Sequence, residues 1–257
     1  MKSSLLTLIV HIYNNQQLVR LQSEAWGKWG NIPELEIIFI DDGSQPRLDL
    51  SMMPNWVKKF RVINDIPWNQ PGAKNLASKF SSSDWLFFLD ADQFLSKSDI
   101  NLLLNQVKNF KKKNMYRFKR FSFPANHELS THQNCQIISK SDFIDIGGYD
   151  EDFAGFYGFE DAYLERLWIF KGNHINVLEK PHLTDFSNFE TKNLNRDSRR
   201  NELLRRKKML YWHINKNFLG RIVLSNKYTL QALIKIGLIA DGRPSPQLRF
   251  KWEEILI

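Results

Sequence analysis

The chain changes hydrophobic period several times. Residues 5–12 (LLTLIVHI) and 35–40 (LEIIFI) are short, branched and almost wholly apolar, the composition of strands covered on both faces. Between them, residues 14–29 place Leu18, Leu21, Ala25 and Trp29 on one side, which predicts a helix. Strand, helix, strand is the pattern of a parallel sheet. FRVI (60–63) and DWLFFL (84–89) extend it, with AKNLASKF as a helix between them. Ser98 is placed to cap a further helix over DINLLLNQVKNF, and MYRFKRFSF (115–123) alternates like an exposed strand. The expectation is an open, mostly parallel α/β sheet with flanking helices. Ligands of such sheets sit at the carboxyl ends of the strands.

Past residue 185 the pattern changes. RDSRRNELLRRKKMLYWHINKNF is basic, with an interrupted apolar stripe of Leu203, Leu204, Leu210, Tyr211 and Ile214. YTLQALIKIGLIA predicts a short helix and DGRPSPQ a turn. Boundaries therefore fall near residues 95 and 189, and 190–257 reads as a basic, mainly helical C-terminal extension. The 257 residues are 42% hydrophobic and suffice for one large domain. No apolar run approaches the ~20 residues that span a bilayer. The single cysteine, Cys135, excludes an intrachain disulfide and suits a reducing, cytoplasmic setting. The net charge of +8 fits either solubility alone or a polyanionic partner, including the anionic face of a membrane.

The candidate chemistry begins at WLFFLDADQF, where five mostly bulky apolar residues run into Asp90 and Asp92. Buried carboxylates need a partner: solvent, a basic side chain or a metal ion. Residues i and i+2 of an extended chain share a face, so both acids can approach one cation, and hard oxygen ligands suit Mg²⁺ or Mn²⁺. A solvated turn is the structural alternative. Asp41 and Asp42 end another strand in IIFIDDGSQ. The sheet rule puts both acidic pairs on one rim.

This order, an apolar strand with Asp-Asp-Gly-Ser, a helix after WNQPGAKN, and a strand ending in Asp-Ala-Asp, resembles the family 2 glycosyltransferases of the GT-A (Rossmann-like) fold over residues 5 to about 95. The resemblance implies that His11, Tyr13, Asp42 and Asp41 flank a uracil, that Lys74 reaches a phosphate, and that Asp90, Ala91 and Asp92 form a donor and metal site. Residues 1–95 are then a nucleotide-binding half and 96–189 an acceptor and catalytic half. Residues 146–172, IGGYDEDFAGFYGFEDAYLERLWIFKG, resemble the carboxyl-terminal motif of β-galactosyltransferases, chondroitin-polymerase-type enzymes and polypeptide N-acetylgalactosaminyltransferases. That likeness implies acceptor contacts from Gly148, Phe156, Tyr157 and Phe159, a general base at Asp161 with Glu160 beside it, and a metal-ligating His182 in LEKPHLTDF.

The combined expectation is a Mn²⁺- or Mg²⁺-dependent transferase. It moves a sugar, galactose or N-acetylgalactosamine, from UDP to a glycan or lipid-linked acceptor, with inversion, because Asp161 stands where retaining relatives carry Asn. The basic tail suggests peripheral contact with the cytoplasmic membrane face. The rival readings are a nucleotidyltransferase, for which the Gly-Gly-Tyr-Asp to Glu-Asp block has no purpose, and a non-catalytic nucleic-acid-binding protein. The acidic rim repels nucleic acid, so none is expected as a partner.

Overall fold

A computed structural model describes residues 4–186, 194–243 and 247–256. The apolar runs become the centre of a sheet. β1 (Leu6–Ile12), β2 (Leu35–Asp41), β3 (Lys58–Val62) and β4 (Trp85–Phe88) are parallel in the order β3-β2-β1-β4. Leu6, Leu8, Val10 and Phe39 face one core cluster while Ile9, Ile38, Ile40 and Phe88 face the other. Both faces are covered, so the strands have no polar alternation.

Helix α1 (Gln16–Trp29) starts where the Asn15 side chain accepts a hydrogen bond from Leu18 N. It buries Leu18, Val19, Gln22, Trp26 and Trp29 on one face and ends at Gly30. Helix α2 (Gln70–Phe80) has Pro71 in its first turn and is buried from Pro71 to Ser78. β5 (Gln93–Phe94) leads to α3 (Lys97–Val107), capped by Ser96 rather than Ser98.

The second half adds β6 (Asn114–Ser122), β7 (Glu128–Leu129), β8 (Gln136–Ser139), α4 (Lys140–Asp145), α5 (Glu160–Phe170) and β9 (His174–Asp185). β8 pairs antiparallel to β4, then β6 antiparallel to β8 and parallel to β9. β6 is not the exposed strand its alternation predicts. Met115 to Phe118 are buried, and the aliphatic stems of its basic residues lie inside while their heads reach acids, Arg117 to Glu165 at 3.0 Å and Arg120 to Asp185 at 2.6 Å.

The basic segment forms α6 (Arg199–Lys216), α7 (Phe218–Ser225) and α8 (Lys227–Lys235). Of the turn expected in DGRPSPQ, residues 244–246 lie outside the described residues. The chain then returns to the main sheet as β10 (Trp252–Glu254), antiparallel to β3. Leu248, Phe250 and Trp252 pack against the core cluster that holds α2 and α5. Charge therefore misplaces the boundary at residue 189. Residues 190–257 are not simply an appended helical extension, because their last strand completes the sheet edge and lids α2.

Candidate active site

The carboxyl ends of β1, β2 and β4 open on one crevice, lined by His11, Tyr13, Asp42, Trp68, Gln70, Asp90, Ala91, Asp92 and Arg196 among others. Asp41 and Asp42 divide at this point. Successive strand side chains point to opposite faces, so two adjacent acids cannot both enter one crevice. Asp42 faces it and accepts from Asn69 Nδ2 at 2.8 Å. Burial, and secondarily neighbouring Asp41, pushes the Asp42 carboxyl well above the usual range. Asp41 turns away from the expected nucleotide. It is fully buried, ion-paired to Arg61 at 2.9 Å, and accepts from Ser44 N, so it holds the Asp-Asp-Gly-Ser turn. Gly43 in that turn has φ +83°, and a Cβ there would sit 2.6 Å from the Asn64 carbonyl oxygen.

His11 has its pKa lowered to about 4 by burial and by the Lys74 charge, so its ring is neutral, and Nδ1 is buried without a partner. Tyr13 Oη donates to Asp65 at 2.8 Å. The Asp90-Ala91-Asp92 turn is braced from α1, where Gln22 Nε2 donates to Ala91 O at 2.8 Å. Burial works to raise Asp90, but His132, His11 and Lys74 together hold it below the ordinary carboxylate value. Among the described residues Asp92 has no basic ion-pair partner, and it is pushed up to about 7 by burial and by Asp90.

His182 does not join this pair. On β9, Leu183 and Asp185 point inward, and His182 alternates outward. Its ring packs at a tilt against Phe121 with centroids 4.8 Å apart, its Nε2 lies 2.6 Å from Glu179 O, and it lines a separate surface groove. The histidine beside the acids is His132, whose Nδ1 lies 3.8 Å from Asp90. Its sequence context offers no signal for that role. Among the described residues no group of three or more His, Cys, Asp or Glu forms a ready metal cage.

The Glu-Asp motif opens α5. Phe159, with φ 71°, turns the chain so that Glu160 and Asp161 occupy its first turn. Asp161 Oδ1 accepts from Tyr149 Oη at 2.7 Å and Lys74 Nζ at 3.2 Å, and Oδ2 accepts from Gln70 Nε2 at 2.6 Å. Lys74 is thus directed at Asp161 and Tyr149 and is not among the side chains that line the crevice. It is 1% exposed, and its Nζ lies 4.6 Å from the Tyr149 ring centre. α2 carries it inward, between the rings of Phe88 and Tyr149. Burial, and next the Asp161 charge, raises the Tyr149 phenol well above its ordinary value, so it serves as a donor. Glu160 is pushed up to about 8, first by burial and then by Asp161.

Gly148 is structural rather than acceptor-facing. At φ +70° its missing Cβ leaves room for Asn75 Oδ1 and the Gln247 amide. Asn75 in turn clamps Tyr149, donating to its carbonyl at 2.8 Å and accepting from its N at 2.9 Å. Phe156, Tyr157 and Phe159 form an aromatic loop with basic cover. Tyr157 packs at a tilt against Trp68 with centroids 4.6 Å apart, and the Arg200 and Arg205 guanidinium carbons lie 4.6 and 5.2 Å from the Phe156 and Phe159 ring centres.

A hydrogen-bond chain joins the two halves. Asn134 Nδ2 donates to Asp90 at 3.2 Å and to Gln70 Oε1 at 3.3 Å, and Gln70 Nε2 donates to Glu160 at 2.8 Å and to Asp161 at 2.6 Å. Gln70, Asn134, Trp68 and Tyr149 are not among the residues singled out from sequence. The available signals were WNQ before the helix-initiating Pro71, and the Tyr of Gly-Gly-Tyr-Asp.

This fold and crevice define a sugar-transferring enzyme. The family model described as glycosyl transferase family 2 matches residues 7–157, and the chain belongs to that family. No curated protein matches the chain by sequence. Among solved structures, S. aureus TarS 1-349 in complex with UDP-GlcNAc aligns with TM-score 0.61 at 12% identity, covering 83% of this chain and 67% of that one. S. aureus TarS 1-349 alone gives 0.58 at 15%, covering 91% and 76%. Longer TarS gives 0.53 at 15%, covering 88% of this chain but 46% of TarS. At these identities the likeness is one of fold.

Proposed function

We propose that this glycosyltransferase uses a UDP-sugar, binding the nucleotide in the crevice of His11, Tyr13, Asp42 and Asp90–Asp92, and transfers the sugar by a single inverting displacement. The observation that carries this is the hydrogen-bond chain from Asp90 through Asn134 and Gln70 to Glu160 and Asp161. It sets a donor-binding acid and a candidate base on one rigid frame. TarS, of similar fold, is described with UDP-GlcNAc, which supports a uridine donor.

In the reaction, the acceptor hydroxyl oxygen bonds to the sugar C1 as the bond from C1 to the UDP oxygen breaks. UDP leaves with the electron pair, and the hydroxyl proton passes to Asp161 Oδ2. Asp161 fits as the acceptor of this proton because Lys74, Tyr149 and Gln70 stabilise its charge and leave an Oδ2 lone pair open. Glu160 holds its own proton at neutral pH and stands as a hydrogen-bond donor to a sugar oxygen. Trp68 and the aromatic loop offer flat faces to the acceptor.

Asp92, raised by burial and Asp90 and without a basic partner among the described residues, is the kind of acid that a divalent cation relieves. Asp92, with Asp90 beside it, would hold Mn²⁺ or Mg²⁺. When bound, the ion supplies charge neutralisation to the diphosphate. The carboxyl-terminal motif favours galactose or N-acetylgalactosamine, and N-acetylglucosamine is the competing sugar because of the TarS complex. The acceptor is read as a glycan or lipid-linked hydroxyl. The test is UDP release from a panel of UDP-sugars with Mn²⁺, with and without EDTA. Release confined to one sugar and abolished by EDTA is expected. No release from any UDP-sugar overturns the donor, and full release in EDTA overturns the metal.

A further inference from the structure

The positive charge of this protein is not spread over it. Residues 196–243 carry twelve Lys or Arg and three Asp or Glu, a balance of +9, whereas the whole chain carries +8, so the remainder is −1. Within that segment, α7 is short and sharply two-sided. Gly220 and Leu224, four residues apart, face inward: a Cβ at Gly220 would collide with the Ile214 backbone at the end of α6, and Leu224 is buried with Tyr211, Leu230 and Ile239. The opposite arc is apolar and bare. Phe218 is 71% exposed, Leu219 74%, Ile222 52% and Val223 41%, and Tyr228 just beyond is 82% exposed. At 100° per residue the first four span an arc of roughly 140°. Lys216, Arg221 and Lys227 are exposed around it, and none is ion-paired to a described carboxylate.

A soluble enzyme gains nothing from four adjacent large apolar side chains in water. A second copy of this chain, docked face to face about a two-fold axis, would set Arg221 and Lys227 against their own like charges. A nucleic acid would satisfy the cations but leave the aliphatic centre wet. An anionic bilayer satisfies both parts: acyl chains take the apolar arc and headgroups the cationic collar. Arg221 and Lys227 also line an open groove walled by Leu224, Leu230 and Tyr211, a basic mouth over apolar sides that suits a lipid phosphate.

We propose that the outer face of α7, with its collar of Lys216, Arg221 and Lys227, seats this protein peripherally on an anionic lipid bilayer. The surface is linked to the active site by α6, whose Asn201 donates to the carbonyls of Phe153, Phe156 and Gly158 at 3.0, 2.9 and 2.8 Å and so anchors the aromatic loop. Eighteen residues of helix are about 27 Å long. A seated enzyme thus holds its acceptor loop within about one such length of the docking face.

The experiment is co-sedimentation of the full chain with vesicles of phosphatidylcholine alone or with a third phosphatidylglycerol, at low and high salt, beside size-exclusion chromatography without lipid. Expected is binding to the anionic vesicles alone, weakened by salt. Phe218→Ser combined with Leu219→Ser should lower partitioning at least about tenfold, and so should Arg221→Glu combined with Lys227→Glu. All four side chains are exposed, so unchanged circular dichroism and unchanged UDP binding in solution establish that the variants fold. Absence of binding to anionic vesicles overturns the proposal. So does binding that both double variants retain, which would place the contact elsewhere. Concentration-dependent self-association removed by Phe218→Ser and Leu219→Ser would assign the face to a second copy instead. None of these outcomes depends on which sugar is transferred.

Discussion

Two acidic clusters, one lining the crevice and one joined to it through Gln70, differ in how their buried acids are partnered. On the donor side, Asp42 and Asp92 are driven upward by burial, with no cation paired to them among the described residues. On the acceptor side, Asp161 is buried too, yet Lys74, Tyr149 and Gln70 all donate to it. Asp42 and Asp92 have a deficit that an incoming cation can fill, whereas Asp90 is already held low by His132, His11 and Lys74. Asp161 is supplied with its donors by the protein itself, whether or not a metal is bound. The same residue type therefore serves two purposes, and the partner decides which.

The largest expected effect comes from removing the supplied acid. Asp161→Asn should lower turnover by the ~10²–10⁴-fold typical of losing a general base, with UDP affinity nearly unchanged. Steady-state kinetics with titration of UDP checks both, and near-normal turnover would break the comparison on its acceptor side. Next in size is the supplier. Lys74→Met leaves Asp161 buried and uncompensated, which costs about 3–5 kcal/mol of stability. Combining it with Asp161→Asn should restore most of that stability without restoring turnover, a non-additivity that urea denaturation resolves. If the single and double variants are equally unstable, Lys74 is packing and not a charge partner.

The donor side was the more legible half in the sequence, because strand-end acids announce themselves through an apolar run. Period alone brings Asp42, Asp90 and Asp92 to one rim, but Asp41 shows its limit: an adjacent acid must face the other way. Lys74 and Gly148 were misplaced because their environment is made by residues far along the chain, Tyr149 and Asp161 for the lysine and Gln247 for the glycine. The return of β10 to the sheet edge, which buries α2, leaves no local mark. Trp252 and its neighbours fall by sequence within the basic, mainly helical extension, yet they pair with Val62 and Phe60. His182 failed for another reason. A spacing carried over from relatives says nothing about which face of β9 a residue takes.

A smaller effect sharpens the donor side. A cation on Asp92 competes with its proton, which the crevice holds up to a pH of about 7. Mn²⁺-dependent UDP binding should therefore weaken by up to about tenfold per pH unit below 7 and level off above it. Calorimetric titration between pH 5.5 and 8.5 shows the slope. Asp92→Asn should bind weakly throughout with that slope lost. A wild-type affinity that is flat across the range would mean the cation is held elsewhere.

The smallest effect concerns Glu160, which lies between the two arrangements. Burial and Asp161 raise it from its ordinary 4.5 to about 8. A raised carboxyl favours the folded state in its protonated form. Its contribution is complete below about 4.5 and is lost as pH climbs toward 8, with a slope of at most roughly 1.4 kcal/mol per pH unit. Glu160→Gln cannot lose a proton, so its stability should match the wild type in acid and exceed it at pH 8. Activity separates the roles. With Asp161 as base and Glu160 as donor, turnover falls modestly as pH rises through about 8, and Glu160→Gln retains most activity while losing that fall. With Glu160 as base, turnover instead rises through about 8, because only the ionised form accepts a proton, and the Gln variant is nearly inactive. The direction of one pH profile thus decides which carboxylate of the motif takes the acceptor's proton.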